Sequence, residues 1–388
     1  MIAYPDVKVN SSMYTDLAGE FSSQGYNVYV AVANGSHKTS FRREGKVNVL
    51  RVRTMELFNT SLIKKGLANL ILPYQVSKGI NKYLKEIHID SLIIATPPIT
   101  YLSTVNKLKK KFRAKAYLIL RDIFPQNARD LGLINNRIIF SYFRRKEKQL
   151  YALADYIGCM SAGNISYLKR HNPEINKTKL HLLPNWKNVT TFIESDFGIR
   201  KDLGLENRFI VIYGGNLGKP QEIEFIIEMA QAIEYIEDVV FLIVGNGTEK
   251  NRMVSLCLKK GIRNLIFKDP MARAEYEKLV NICDIGLVVN NRNFTIPNIP
   301  SRTLSYWEAK IPVLAAIDPF TDFGSILNES DSGLWSLTGD IDKFKQNFEK
   351  LYYNKELRIL MGENGYKYLI ENCTTSIAYK TIINNINS

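Results

Sequence analysis

Short runs of apolar and β-branched residues alternate along the chain with longer stretches in which apolar residues return every three or four positions. This is the pattern of strands joined by amphipathic crossover helices. In the first half the runs at 28–33, 47–53, 91–96, 116–121, 156–160 and 179–183 predict strands; in the second, those at 209–213, 239–244, 265–267, 285–289 and 313–316 do the same. The alternation predicts an α/β chain of two Rossmann-like, doubly wound domains. The polar segment NWKNVTTFIESDFGIR at 185–200 follows one strand run and precedes a fresh strand-helix alternation, which puts the hinge there. The domains expected are 1–190 and 191–388, with the last helix either closing the second domain or returning to the first. Two such domains facing each other leave a cleft at the carboxyl ends of their strands, where ligands of open α/β sheets bind. Ahead of the helix expected at 13–24 only Met1 to Pro5 has strand character, so the first strand is either a short edge strand or begins upstream of Met1.

Charge and composition narrow the partners. The longest apolar stretches, such as LANLILPY at 67–74, fall short of the roughly 20 residues a membrane span needs, and no apolar run with a cleavage site opens the sequence. Cys159, Cys257, Cys283 and Cys373 stand apart, without the pairing of a zinc site or a disulfide framework, and a reducing cytoplasm fits them best. The net charge of +14 is unevenly spread. Residues 1–190 hold 30 Lys and Arg against 12 Asp and Glu, or +18, and residues 191–388 hold 22 against 26, or −4. A basic half implies an anionic partner, either nucleic acid or an acidic membrane surface.

The sharpest local signal is FIVIYGGNLGKPQ at 209–221, ahead of a helical run at 222–237. An apolar strand, a glycine-rich turn and a helix start bring backbone N–H groups and a positive helix end to one point, where a phosphate is the natural ligand. Gly214, Gly215 and Gly218 permit close approach and Lys219 adds a charge, while the spacing is neither G-x-G-x-x-G nor a P-loop. As a bare motif this is equally a tight strand-helix connection. FLIVGNG at 241–247 repeats the design, with Gly245 at the turn, and LIFKDP at 265–270 ends a third strand at Lys268. Further on, NFTIPNIPSRTLSYWEAKIPV at 293–313 makes a proline-stiffened loop, an N-cap at Ser301 and a helix from Arg302 that carries Glu308 two turns later on the same face. A carboxylate held there can accept hydrogen bonds from both hydroxyls of a ribose, although such a residue is more often simply solvated. The pair Asp340 and Asp342 has the spacing of a metal motif but opens a helix at 343–352 and reads as an N-cap. His37, His88, His171 and His181 have no ligand spacing, so no metal site is expected.

Taken in order and spacing, strand-GGNLGK-helix, IVGNGTEK and IPSRTLSYWEAKIPVLA resemble the carboxy-terminal domain of the fourth glycosyltransferase family, which has the GT-B fold. RDIFPQ at 121–126, SAGNISYL at 161–168 and LLPNW at 182–186 look like segments of its bacterial O-antigen and capsule branch, which includes N-acetyl-fucosaminyl transferases. The resemblance implies a retaining glycosyltransferase that uses a UDP-sugar donor and no metal cofactor. Glu308 aligns with the second glutamate of the family's paired motif, which holds the ribose; the first falls at Pro300, so the usual contact to the donor sugar is absent. Asn216 stands where many members carry an arginine for the diphosphate, which leaves Lys219, Arg302 and the glycine-loop amides, with Ser301, Gly245 and Lys268 completing the donor set. The family's amino-terminal Gly-Gly turn is replaced by Asn10, Ser11 and Ser12. Asp122 would either orient the acceptor or cap the helix beginning at Gln126.

The acceptor that the branch implies is a polyprenyl-diphosphate-linked oligosaccharide, and the basic half then faces the inner surface of the cell membrane. Lys64, Lys65, Lys107, Lys109, Lys110 and Lys111 are the expected membrane contacts, helped by the amphipathic stretch 57–83 with Leu62, Ile63, Leu67, Leu70, Ile71 and Tyr74. The alternatives are a nucleotide-sugar epimerase of the same fold and, on charge alone, a nucleic-acid-binding protein. The latter lacks aromatic and basic interleaving and any helix-turn-helix or finger signature.

Overall fold

Strand and helix alternate from residue 13 onward in the computed structural model, which describes residues 12–56, 62–189 and 198–387. The chain divides into two units, Met1–Pro184 with Thr375–Ser388, and Asn185–Thr374.

The first unit contains strands β1 (Tyr29–Ala33), β2 (Ser40–Glu44) and β3 (Val47–Val52), ordered β1-β3-β2. β1 runs parallel to β3 and β2 antiparallel to it. A second, fully parallel sheet follows: β4 (Ser91–Ala95), β5 (Lys115–Leu120), β6 (Tyr156–Cys159) and β7 (Leu180–Leu182), in that order. Helix Leu62–Tyr83 links the two sheets, helix Leu102–Phe112 joins β4 to β5, and helix Arg137–Leu153 precedes β6. The last helix, Thr375–Asn387, buries Ala378, Ile382 and Ile386 at four-residue spacing, so one helical face is apolar, and it packs in this unit. There Tyr379 meets Phe21 edge-on at 4.9 Å between ring centroids, and Lys115 Nζ donates to the Ile386 carbonyl at 2.7 Å. The strand expected at Met1 to Pro5 lies outside the described residues.

The second unit is one six-stranded parallel sheet of β8 (Phe209–Asn216), β9 (Val239–Asn246), β10 (Leu265–Lys268), β11 (Ile285–Val289), β12 (Val313–Ile317) and β13 (Gly333–Leu337). The order β10-β9-β8-β11-β12-β13 is the doubly wound arrangement, with the first strand of the unit beside the fourth. Successive side chains of β8 point to opposite faces, so Phe209, Val211 and Tyr213 enter one core with Phe225, Phe241 and Phe344, while Ile210 and Ile212 enter the other with Leu242, Tyr306 and Phe323. Both faces are covered by helices, which is why the strand runs read as nearly continuous apolar sequence.

Candidate active site

The order of the strands in the second unit reverses between β8 and β11, and such a switch point opens a crevice beyond the carboxyl ends of the strands. The β8 to β11 pairing covers only Val211 with Ile285 and Ile212 with Gly286, and the strands are not paired beyond it. Tyr306 fills the join from below. Its hydroxyl lies 3.2 Å from the Ile212 carbonyl and 3.1 Å from that of Leu287, and it accepts the Gly214 N–H at 3.4 Å. A Cβ at Gly286 would come within 2.2 Å of the Tyr306 ring, so glycine is what lets the ring pass. Burial pushes the Tyr306 hydroxyl up to about 12 and raises Tyr276 and Tyr213 as well, so all three stay protonated near neutral pH.

The glycine turn sits on this floor. At Gly214 a Cβ would lie 1.9 Å from the Tyr276 hydroxyl oxygen, and at Gly245 it would lie 1.9 Å from the Gly215 carbonyl oxygen. Gly215 has φ +131° and is exposed near the carboxyl end of β8, where it pairs with Gly245 of β9. The Arg302 guanidinium stacks on the Tyr213 ring, 4.2 Å from its centroid, with Nη2 3.5 Å from where a Gly215 Cβ would stand. Tyr213 in turn donates its hydroxyl proton to the Asn216 carbonyl at 2.8 Å and so ties the turn to the arginine. Arg302 and Gly215, 87 positions apart in sequence, are brought to one point.

Three sequence expectations change here. The N–H groups of Leu217 and Gly218 are not free for a ligand: Leu217 donates to the Asn246 carbonyl at 2.9 Å, and Gly218 donates to Gln221 Oε1 at 3.3 Å, which also accepts from Asn216 Nδ2 at 3.1 Å. The helix after the turn is Ile223–Ala232, preceded by a 3₁₀ turn at Lys219–Gln221, and the Glu222 carboxylate before it accepts the Arg292 N–H at 2.7 Å and pairs with the Arg292 guanidinium. A negative group therefore stands at that helix start, which weakens it as an anion site. Ser301 is not an N-cap. The helix is Thr303–Glu308, Arg302 holds the capping position, and Ser301 supplies only its carbonyl to the Leu304 N–H. The prolines at 297 and 300 and the turn they form delay the helix by one residue.

Glu308 is held from one side by a residue that sequence reasoning missed. Lys187 is buried, and its ammonium donates to Glu308 Oε2 at 2.9 Å and pairs with Glu277, which also accepts from Arg273 Nε at 2.8 Å. The Lys187 main chain is anchored too, its N–H donating to the Cys373 carbonyl at 2.9 Å, and Asn185 Nδ2 donates to the Ile299 carbonyl at 2.9 Å. In the sequence WKN reads as a polar linker; the one available signal is the lysine directly after Trp186, which is fully buried.

Other predicted residues lie farther off. Lys219 is exposed at the turn, and its carbonyl accepts from Asn291 Nδ2 at 2.7 Å. Lys268 ends β10, the edge strand two places from β8, which separates it from the Gly215 and Arg302 point by about 10 Å of sheet. Asp340 does cap its helix, accepting the Lys343 N–H at 2.9 Å, and among the described residues no group of three His, Cys, Asp or Glu is arranged for a metal. In the first unit Asp122 follows β5 and is exposed, while the helix at Gln126–Asp130 has Pro125 in the capping position, so Asp122 is not its cap. Its neighbour Arg121 is buried, donating to the Leu183 carbonyl at 3.0 Å and the Pro184 carbonyl at 3.3 Å. Asn10 and Ser11 lie outside the described residues; Ser12 caps helix Met13–Ser23 reciprocally with Thr15.

Residues 196–368 match the family Glycosyl transferases group 1. Over 248 residues the chain is 27% identical to WcaI of Escherichia coli (strain K12), named as a glycosyl transferase of colanic acid biosynthesis. That match takes in 61% of this chain and 60% of the length of WcaI. Among solved structures, the sucrose-phosphate synthase of Thermosynechococcus elongatus superposes with a TM-score of 0.78 at 12% identity, over 96% of this chain and 91% of that one. The chain has the GT-B fold, and its second unit carries the glycosyl transferase match. Anabaena Alr3699/HepE, solved in complex with UDP-glucose, matches over 100% of this chain and 98% of its own, with a TM-score of 0.71 at 14% identity.

The lysines assigned to a membrane differ in their surroundings. Lys109 is committed internally, donating to the Leu153 carbonyl at 2.8 Å and pairing with Asp155 at 2.7 Å. Lys111 donates to the Lys85 carbonyl at 3.3 Å and lies over the Phe112 ring, while Lys107 and Lys110 are exposed. Lys64 is exposed at the start of helix Leu62–Tyr83, and the side chain of Lys65 lies outside the described residues.

Proposed function

We propose that this glycosyltransferase moves a sugar, an N-acetylated hexosamine or a 6-deoxy relative, from a UDP donor to a lipid-linked oligosaccharide, with retention at the anomeric carbon, in surface polysaccharide biosynthesis. The observation that carries the reading is the meeting of Gly215 and Arg302 at the switch point: an exposed glycine that leaves room and a fixed guanidinium at one place suit a diphosphate. As the bond between the anomeric carbon and the leaving phosphate oxygen breaks, negative charge grows on the diphosphate. Arg302, already oriented by Tyr213, stabilises that charge without reorganising, and Lys219 supplies a second cation from the turn. Glu308 receives the ribose hydroxyls with its carboxylate oriented by Lys187, and Asp122 orients the acceptor or the sugar. The names of WcaI and of HepE in complex with UDP-glucose support the product class and the donor class.

Turnover needs no divalent metal in this scheme, because the diphosphate meets a cation supplied by the chain and Asp340 is used as a helix cap. Activity is expected to survive EDTA; loss restored by magnesium or manganese would overturn this part. The whole reading is tested by incubating the full chain with a panel of UDP-, GDP- and TDP-sugars and measuring release of the free nucleotide. Release of UDP from one or two donors is expected. Release confined to GDP or TDP, or none from any donor in a folded protein, refutes the donor assignment. The enzyme is expected at the cytoplasmic face of the membrane, where a polyprenyl-linked acceptor is confined.

A further inference from the structure

The first unit holds two sheets where the second holds one. In the second unit β8, the first strand in sequence, stands in the middle, with the next strand β9 on one side and β11 on the other. In the first unit β1 pairs with β3 alone and β4 with β5 alone among the described residues, so each ends its sheet. Neither has the composition of an edge. Edge strands are blunted by charge, as β2 is: SFRRE carries two arginines and a glutamate. β1 reads YVAVA and β4 reads SLIIA, without charge or proline. Both are also covered, since Val30, Val32, Ile94 and Ala95 are buried. These are interior strands by sequence and edge strands by pairing.

A cavity of about 800 Å³ lies between them. Tyr29, Val30 and Ala31 of β1 line it, and so does every residue of β4. Two groups of helices complete the wall. Helix Met13–Ser23 contributes Leu17 and Phe21, beside helix Thr375–Asn387, which meets it through Tyr379. Helix Leu62–Tyr83 contributes Val76 and Ile80, beside helix Leu102–Phe112, whose Thr104 donates to the Pro73 carbonyl at 3.0 Å. The lining residues that can carry charge, Glu86, His88 and Asp90, all come directly ahead of β4, at the amino edge of the sheet. Beyond that mouth the wall is largely apolar. The unpaired N–H and C=O groups of β1 and β4 border this space, where lack of a hydrogen-bond partner costs most.

We infer that this slot takes one more strand, parallel to β1 and β4 and hydrogen-bonded to both, supplied by the polypeptide that leads into Ser12. The direction follows from connectivity. Helix Met13–Ser23 feeds β1, and a crossover helix that feeds a parallel strand comes from a neighbour running the same way. The apolar wall calls for a run without charge, and β4 sets its length at about five residues. The two sheets then join in the order β2-β3-β1, the added strand, β4-β5-β6-β7, with the first strand in sequence at the centre, as β8 is in the second unit. The carboxyl end of the added strand becomes the switch point of the first unit, the position at which open α/β sheets bind ligands.

Two forms of the full chain test this by amide hydrogen exchange. One carries a lead of valine, leucine and isoleucine, as long as β4, ahead of residue 1; the other has residues 1–5 replaced by glycine and serine. Exchange at 29–33 and 91–95 is expected to be at least about tenfold slower in the form with the apolar lead, while β9, at 239–246, exchanges alike in both. Equal exchange at 29–33 and 91–95 would mean that the slot takes no strand, and the inference fails. It fails too if the slower exchange appears only where sedimentation shows a dimer, because a second copy then fills the slot. Dodecanoate that slows exchange in the glycine and serine form as far as the lead does would make the slot an acyl-chain site and overturn the inference as well. UDP calorimetry on both forms keeps the donor-site reading separate: equal affinity is expected, and absence of UDP binding from both refutes that reading whatever the amides show.

Discussion

Two sheet edges of the same kind, the carboxyl ends of parallel strands, are built in opposite ways in the two units. In the second unit glycines bring backbone and side chains close together, tyrosine hydroxyls cap carbonyl ends, and three charges near the crevice have a partner or a ring beside them: Arg302 on Tyr213, Glu308 on Lys187, Glu222 on Arg292. In the first unit the edge leaves isoleucines, leucines and tyrosines exposed among arginines. A small charged ligand that must be held in one geometry calls for a rigid, internally satisfied frame. Nearly the same architecture thus gives an internally paired edge in one unit and an edge with exposed apolar side chains in the other.

That contrast is broken most severely at Lys187. Lys187→Met would leave Glu277 and Glu308 buried without their shared ammonium, and a loss of about 3 to 5 kcal/mol is expected in the denaturant unfolding of the second unit, with the first unit's transition unmoved. A single common loss in both units, or none, would mean that the pair does not frame the donor site. Next in size is Arg302→Ala. It should weaken UDP by about 1.5 to 3 kcal/mol, because a charged contact to the diphosphate is removed, and should leave stability nearly unchanged. Calorimetry with UDP and with uridine separates the cases, since uridine affinity is expected to be the same in mutant and wild type.

Glu308→Gln keeps the shape and removes the charge that meets both Lys187 and the ribose; about 1 to 2 kcal/mol of UDP affinity is expected to go. Loss of the same size with 2′,3′-dideoxy-UDP would show that the ribose hydroxyls are not its partners. Smallest is Asp122→Asn in the first unit, expected to lower turnover while UDP affinity changes by less than about 0.5 kcal/mol, the range of surface substitutions. A drop in UDP affinity equal to that of the Glu308 variant would erase the division of labour between the two edges.

The strands most easily read from the sequence are those buried on both faces. FIVIY and IGLVV have no polar interruption, and the central strands β8 and β11 are found where their apolar runs predict them. β2 was not anticipated because SFRRE is an edge strand whose side chains largely face water, and β13 because GLWSL pairs on one side only and opens on glycine. The glycine turn and Arg302 were legible as chemistry. The floor beneath them was not, since Tyr213, Tyr276 and Tyr306 are core residues whose hydroxyls gain meaning only when β8 and β11 stand side by side. Lys187 was hidden for a related reason: a lone lysine in a linker is ordinarily solvated, and only the fold supplies the two carboxylates around it. Proximity in sequence and shared sign likewise do not reveal that Lys109, among the lysines at 107–111, is tied to the Leu153 carbonyl and Asp155.

The chain leaves the first unit after Pro184 and re-enters it at Thr375, so the helix that buries Ala378, Ile382 and Ile386 is synthesised after the whole second unit. During translation the second unit is therefore complete before the first, even though the first begins at residue 1. A nascent chain halted at residue 374 would carry a finished second unit and a first unit still missing a helix that packs on its core, including the partner of Phe21. Removing 375–387 consequently acts on the first unit, although the whole second unit stands between them in sequence.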